Sequence, residues 1–171
     1  VTGVDDIDYY DMIFKKWTFS QEHNFSVNGG TKKLNHDASF NYLDQGGFMN
    51  LGEEGLSRYN GTAKIGSELT KWLKFDYTMR FTREDYKRPA TMTNSLYSDM
   101  ARQGWPVLPL YDPNGYYFYA PSPILGLAEG GTGKIQTDNM YHQVSFTFEP
   151  VKEWITHVDF NYRIKSANNY W

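Results

Sequence analysis

From residue 23 onward the chain settles into runs in which apolar and polar side chains alternate one by one, and the connections between those runs alternate between very short and long. Alternation at period two assigns one set of side chains to each face of a β-strand. In 23–28, Phe25 and Val27 oppose Asn24, Ser26 and Asn28, and in 34–42, Ala38, Phe40 and Tyr42 oppose Asn35, Asp37, Ser39 and Asn41. In 59–69, Tyr59, Ala63, Ile65 and Leu69 oppose Asn60, Thr62, Lys64 and Glu68, while in 73–81 Leu73, Phe75, Tyr77, Met79 and Phe81 oppose Lys74, Asp76, Thr78 and Arg80. The pattern returns in 140–148 and in 158–165, where Val158, Phe160, Tyr162 and Ile164 oppose Asp159, Asn161, Arg163 and Lys165. Periodicity therefore predicts about six strands, each wet on one face.

Tight turns fall at 29–32, 70–71 and 150–153, and the long connections are 43–58 and 84–138. In an up-and-down meander this order puts every short turn at one end of the sheet and every long loop at the other, the arrangement of outer-membrane barrels. Strand length agrees, because 59–69 and 73–83 supply the roughly 9–11 residues that a tilted strand needs to cross an apolar layer. Trp72, Trp154, Tyr42, Tyr59 and Tyr162 are expected at strand ends, as interfacial girdles or as plain packing. Six strands cannot close such a barrel, which takes at least about eight, so partner strands are expected from elsewhere. Before the strands, residues 5–17 predict a short helix capped by Asp8, with Tyr9, Met12, Ile13 and Lys16 at helical spacing.

Composition narrows the function classes. Aromatics make up 18% of the chain while mean hydropathy is −0.65, a mixture that suits sheets wet on one face. A net charge of −3 gives no basic footprint for nucleic acid, and without cysteine there is neither a disulfide framework nor a thiolate metal site. No signal peptide or membrane helix is visible, so for an exported protein Val1 is not expected to begin the primary product; Trp171, a terminal aromatic after an unfinished sheet, reads as a truncation point.

Motifs for chemistry are weak. Gly130-Gly131-Thr132-Gly133-Lys134 departs from a phosphate loop at Ala128 and Ile135 and reads as a flexible glycine-rich loop. His23, His36, His142 and His157 lack ligand spacing, with His142 and His157 expected to face water. Glu53-Glu54 and Glu84-Asp85 are adjacent pairs that point apart on a strand and read as solvated charge, so no catalytic residue, metal or cofactor is expected. The sequons at Asn24 and Asn60 lie within strands and read as chance. Asp112-Pro113-Asn114-Gly115 is a strong turn signal, followed by four rings. Trp105, Tyr111, Tyr116, Tyr117 and Tyr119 are the candidate contact residues for a ligand or partner, against the alternative that the loop folds back and buries them.

Several stretches together resemble the beginning of the barrel in SusC/RagA-type TonB-linked outer-membrane proteins of Bacteroidetes: Tyr10-Asp11-Met12-Ile13-Phe14, His23-Asn24-Phe25-Ser26-Val27-Asn28-Gly29-Gly30 and Asn41-Tyr42-Leu43-Asp44-Gln45-Gly46-Gly47. Leu69-Thr70-Lys71-Trp72-Leu73-Lys74, Arg88-Pro89, Asp112-Pro113-Asn114-Gly115 and Pro150-Val151-Lys152 fit the same stretch, in order, over essentially the whole chain. The resemblance implies an all-β fold: a transmembrane barrel of about 22 strands with an N-terminal plug inside it. This chain would supply an early consecutive run, with 1–22 as loop and helix, 23–83 as four strands, 84–138 as a long external loop and 139–171 as two strands. Val1 would lie beyond the plug and first strand, in an external loop. Such a protein imports oligosaccharides or peptides across the outer membrane of a Gram-negative bacterium. It works with a SusD-like surface lipoprotein as lid, and the TonB complex drives it through the N-terminal part not present here. In that frame Lys64, Asp76, Arg80, Gln143, Asp159 and Arg163 line the lumen or meet the plug, and the apolar faces meet lipid. The rival readings are a soluble carbohydrate-binding β-sandwich and a surface glycan hydrolase, the latter lacking a convergent carboxylate pair.

Overall fold

A computed structural model describes residues 6–118 and 123–171. It contains one antiparallel sheet of six strands in sequence order, β1 (Ser20–Gly30), β2 (Leu34–Gly46), β3 (Gly55–Thr70), β4 (Leu73–Pro89), β5 (Thr132–Val151) and β6 (Trp154–Tyr170). The expected meander is therefore present as a single layer. Among the described residues no second sheet faces it, where a sandwich would place one. The sheet is open, since β1 and β6 do not pair with each other. As edges they are exposed along nearly their whole length.

The three tight turns lie at one end and the two long connections at the other. At the first turn the Thr31 hydroxyl accepts the amides of Lys33 and Leu34, which reverses the chain within a few residues. The third turn holds Glu153 at φ 72°, a left-handed conformation that costs a side chain with a Cβ about 1–2 kcal/mol. Register shifts accompany the second and third turns, between Glu68 and Thr70 and between Phe148 and Val151.

The strands run further than their alternation suggests. The expected 84–138 loop is shorter, because β4 continues to Pro89 and β5 begins at Thr132, the two remaining paired from Leu73↔Phe148 to Pro89↔Thr132. The 43–58 loop likewise shrinks to the residues between Gly46 and Gly55. In these extensions polar residues occupy both faces, so backbone pairing persists where the apolar alternation stops. The expected helix at 5–17 is a single turn, α1 (Tyr9–Ile13), with the Asp8 carboxylate accepting the amides of Tyr10 and Asp11 as expected. It ends early because Phe14 turns extended and bridges to Met49. Asp5 lies outside the described residues.

Among the described residues Pro89 at the loop end of β4 is buried, and the buried hydrophobic cluster lies outside the sheet, in Tyr9, Ile13, Met49, Leu96, Ile124 and Leu127. They come from α1, the β2–β3 loop and the β4–β5 connection, which carries two short helices, α2 (Leu96–Gln103) and α3 (Ile124–Glu129). The long connections thus fold together into a small cap with its own core at the loop end. Three main-chain bonds tie it, Ile7 to Pro106, Lys15 to Phe48 and Asn50 to Ile13. Glu54 closes the β2–β3 loop by accepting the amides of Phe48 and Met49.

Candidate functional site

Residues directly opposite in an antiparallel pair share a face, so the register sorts every side chain of the sheet. One face carries successive apolar rows, such as Phe25–Phe40–Gly61–Phe81–Met140–Ile164 and, two residues nearer the turns, Val27–Ala38–Ala63–Met79–His142–Tyr162. The rings of Phe75 and Phe146 meet at 5.4 Å in a row closer still to the turns. Among the described residues nothing covers this face, and Phe25 and Phe160 on the edge strands are 67% and 61% exposed. Each such side chain would gain about 1.5–3 kcal/mol on leaving water, and an apolar surface this continuous marks contact with an apolar phase or partner.

The band has an upper limit. Toward the loop end its last row is aromatic, with Tyr42 and Tyr59 at 5.0 Å and His23 stacked on Tyr42 at 6.3 Å. In the same row β4 and β5 place Arg83 and Asp138, joined by two hydrogen bonds of 2.7 and 2.8 Å. Beyond it the same face turns polar: Gln136 donates to Asp85 at 2.8 Å, and Lys134 and Lys87 pair with Asp85 and Glu53 at 3.7 and 3.5 Å. At the opposite end Trp72 lies in the second turn, next to Leu73, and Trp154 opens β6. Tyr162 does not lie at a strand end; it sits in mid-band opposite His142. His142 itself is on the apolar face, not the wet one, its Nδ1 meeting the Tyr77 hydroxyl at 2.8 Å. His157 does lie on the polar face, beside the Thr147 hydroxyl at 3.0 Å.

The other face is polar throughout its middle. Across it runs an amide ladder: Asn41 Nδ2 donates to Asn24 Oδ1 at 2.5 Å and to Glu22 at 2.7 Å, Asn60 Nδ2 to Asn41 Oδ1 at 3.1 Å, and the Thr82 hydroxyl to Asn60 Oδ1 at 2.9 Å. Both sequon asparagines are rungs of this ladder. Lys64, Asp76, Arg80, Gln143, Asp159 and Arg163 all lie on this face, as alternation predicts.

No family model matches the chain, and no curated protein matches it.

The candidate rings of the long connection divide. Tyr111 and Tyr117 pair as a bridge with rings stacked at 5.1 Å, and Tyr117 packs against the cap core. Hydrogen bonding with Tyr111, then burial, pushes the Tyr117 hydroxyl pKa up. Between them Asp112 forms the expected turn, its carboxylate accepting the amides of Asn114 at 2.8 Å and Tyr116 at 3.0 Å, with Gly115 at φ 88°. Those amides, Tyr116's foremost, hold the Asp112 carboxyl below the usual carboxylate range. Tyr116 and Trp105 stay outside, at 70% and 54% exposed, and Trp105 is held by its indole N–H to the Arg102 carbonyl at 3.0 Å. Tyr119 lies outside the described residues. Folding back thus claims Tyr117 and half of Tyr111, leaving Trp105 and Tyr116 as free rings.

The glycine-rich run is not a flexible loop. Gly130 caps α3, Gly131 turns at φ 80°, and Thr132 to Lys134 open β5, so helix precedes strand, the reverse of a phosphate loop. Gly133 is buried beneath Trp171, where a Cβ would come within 2.9 Å of the ring. The acidic pairs do not converge: Glu54 pins its loop, Glu53 pairs with Lys87, and Glu84 and Asp85 point to opposite faces. Among the described residues no group of acidic and histidine side chains could hold a metal, and no helix is long and apolar enough to cross a membrane, which says nothing of strands.

Proposed function

We propose that this chain is a six-strand run of a transmembrane outer-membrane β-barrel, part of an importer of oligosaccharides or peptides of the SusC/RagA type. The observation that carries the reading is a single open sheet with an apolar band on one face, limited at the loop end by an aromatic row and at the opposite end by the tight turns, and a hydrogen-bonded polar ladder on the other. An apolar face bounded in height fits a lipid layer; a protein partner would impose no such level. The stretch of β4 inside the band, from Leu73 to Phe81, matches the roughly 9–11 residues that a tilted strand needs. The open edges of β1 and β6 call for further strands, because unpaired backbone groups in lipid cost several kcal/mol each. The family resemblance supplies the rest of the proposal: a plug, energy through TonB and a SusD-like lid.

These 171 residues contain no cysteine, so single cysteines placed here each report on one position once any cysteine elsewhere in the full-length protein has been replaced by serine. In the full-length protein in vesicles, cysteine at 158, 160 and 162 is expected to resist a water-soluble maleimide and react with a lipophilic one, and cysteine at 159, 161 and 163 to do the reverse. Uniform labelling by the water-soluble reagent would end the membrane reading.

The cap stands where the lid would sit, and its free rings are the proposed contact. Alanine at both Trp105 and Tyr116 is expected to weaken association with the lid lipoprotein by about 30-fold or more, each anchor ring supplying on the order of 1 kcal/mol or more. Unchanged lid association and unchanged uptake would remove these residues from the contact.

A further inference from the structure

We infer that the polar face of β4, β5 and β6 carries a binding platform for an anionic, hydroxyl-rich ligand: an oligosaccharide bearing carboxylate or sulfate groups. The inference rests on the importer reading and names its cargo class. Arg80, Tyr141 and Arg163 stand opposite one another in one row, and Lys165 lies in the next row opposite Asn139. Adjacent strands are about 4.8 Å apart, so the two arginine backbones flank Tyr141 at a separation of about 10 Å, wide enough for a sugar ring between them. The Arg80 guanidinium lies over the Tyr141 ring at 5.8 Å, the Tyr141 hydroxyl donates to Asn161 at 2.6 Å, and Arg163 donates to Asn139 at 3.1 Å.

What singles out this patch is cationic charge with no ion-pair partner among the described residues. Asp138, next in sequence to Asn139, points to the apolar face and is neutralised there by Arg83. The nearest acids of this face are Asp37, two strands from Arg80 and about 12 Å from it by strand spacing and rise, and Asp76, Glu84 and Asp159, each about 13 Å from the closer arginine along a strand, all beyond the physiological screening length of about 8 Å. The intervening residues, Thr78, Thr82 and Asn161, are neutral hydrogen-bonding groups. Guanidinium groups bind carboxylate or sulfate oxygens through paired N–H donors, while the amides and hydroxyls around them suit sugar hydroxyls.

The test titrates the full-length protein in detergent with an oligogalacturonate, a sulfated carrageenan oligosaccharide and a neutral malto-oligosaccharide by calorimetry. One or both anionic sugars are expected to bind and to weaken as salt rises, the two arms distinguishing carboxylate from sulfate. Arg80→Gln and Arg163→Gln are each expected to weaken binding about tenfold or more, and Lys32→Gln in the first turn to leave it unchanged. Equal binding of the neutral sugar, equal competition by short polyglutamate, or insensitivity to both arginine substitutions would overturn the inference. If the cysteine pattern alternates and no anionic sugar binds, only the cargo class falls; if the pattern itself fails, the importer reading falls first.

Discussion

Arginine in place of Val144 is expected to cost the full-length protein about 2–4 kcal/mol in a bilayer, while arginine in place of its chain neighbour Ser145 costs under about 0.5 kcal/mol. Val144 sits in mid-band between Tyr77 and Phe160, where a charge would enter the middle of the apolar layer. Ser145 is on the polar face between Asp76 and Asp159, which would receive the new cation. A dry protein interface would also punish the first substitution, so depth is the deciding variable. Ser166 shares the face of Val144 but stands at the rim opposite Asp138, and arginine there is expected to cost about 0–1 kcal/mol. Urea titrations from phospholipid vesicles give the three values. A flat series along the apolar face, with no dependence on height, would mean that something other than lipid covers it.

That gradient also explains what could be read from the sequence. Alternation is strong only where one face is apolar and the other wet, so it located 73–83 and the strand from 139 onward and missed Glu84 to Pro89 and Thr132 to Asp138, where polar residues occupy both faces and Gln136 bonds Asp85 across the strands. The same asymmetry revealed that short turns gather at one end. His142 was misjudged because its polarity outweighed its parity with Met140 and Val144; its partner Tyr77 lies far away in sequence and only the register shows it. The cap core was illegible for a related reason. Ile13 comes from α1, Met49 from the β2–β3 loop and Leu96 and Ile124 from two helices of the β4–β5 connection, with no common period, and nothing local says that they meet. Of the candidate rings, sequence could find their density but not their division, since Tyr117 turns inward through pairing with Tyr111 and Tyr116 does not. The platform around Arg80 and Arg163 was visible as polar-face residues, whereas its lack of neighbouring acid depends on strand register.

Alanine in place of Ile13 is expected to remove about 2–5 kcal/mol from the cap and almost nothing from the sheet. Ile13 is fully enclosed, and the buried cluster around it draws on α1, the β2–β3 loop and both helices of the long connection. So small a core has little stability to spare, and a local unit of this kind opens independently of its neighbours. The sheet, by contrast, is held by continuous backbone pairing that does not pass through Ile13. Hydrogen exchange separates the two. The amides of Lys15 and Asn50, each bonded at 2.7 Å across the cap, should exchange about 30-fold faster or more in the variant, while those of β4 and β5 keep their protection. Trp105 and Tyr116 are carried by the same connection, so under the proposed function lid association should fall with cap order even though neither ring is altered. If the Lys15 and Asn50 amides stay protected, the long connections do not depend on a shared core. If β4 and β5 lose protection along with them, cap and sheet are one cooperative unit, and the rings owe their position to the strands.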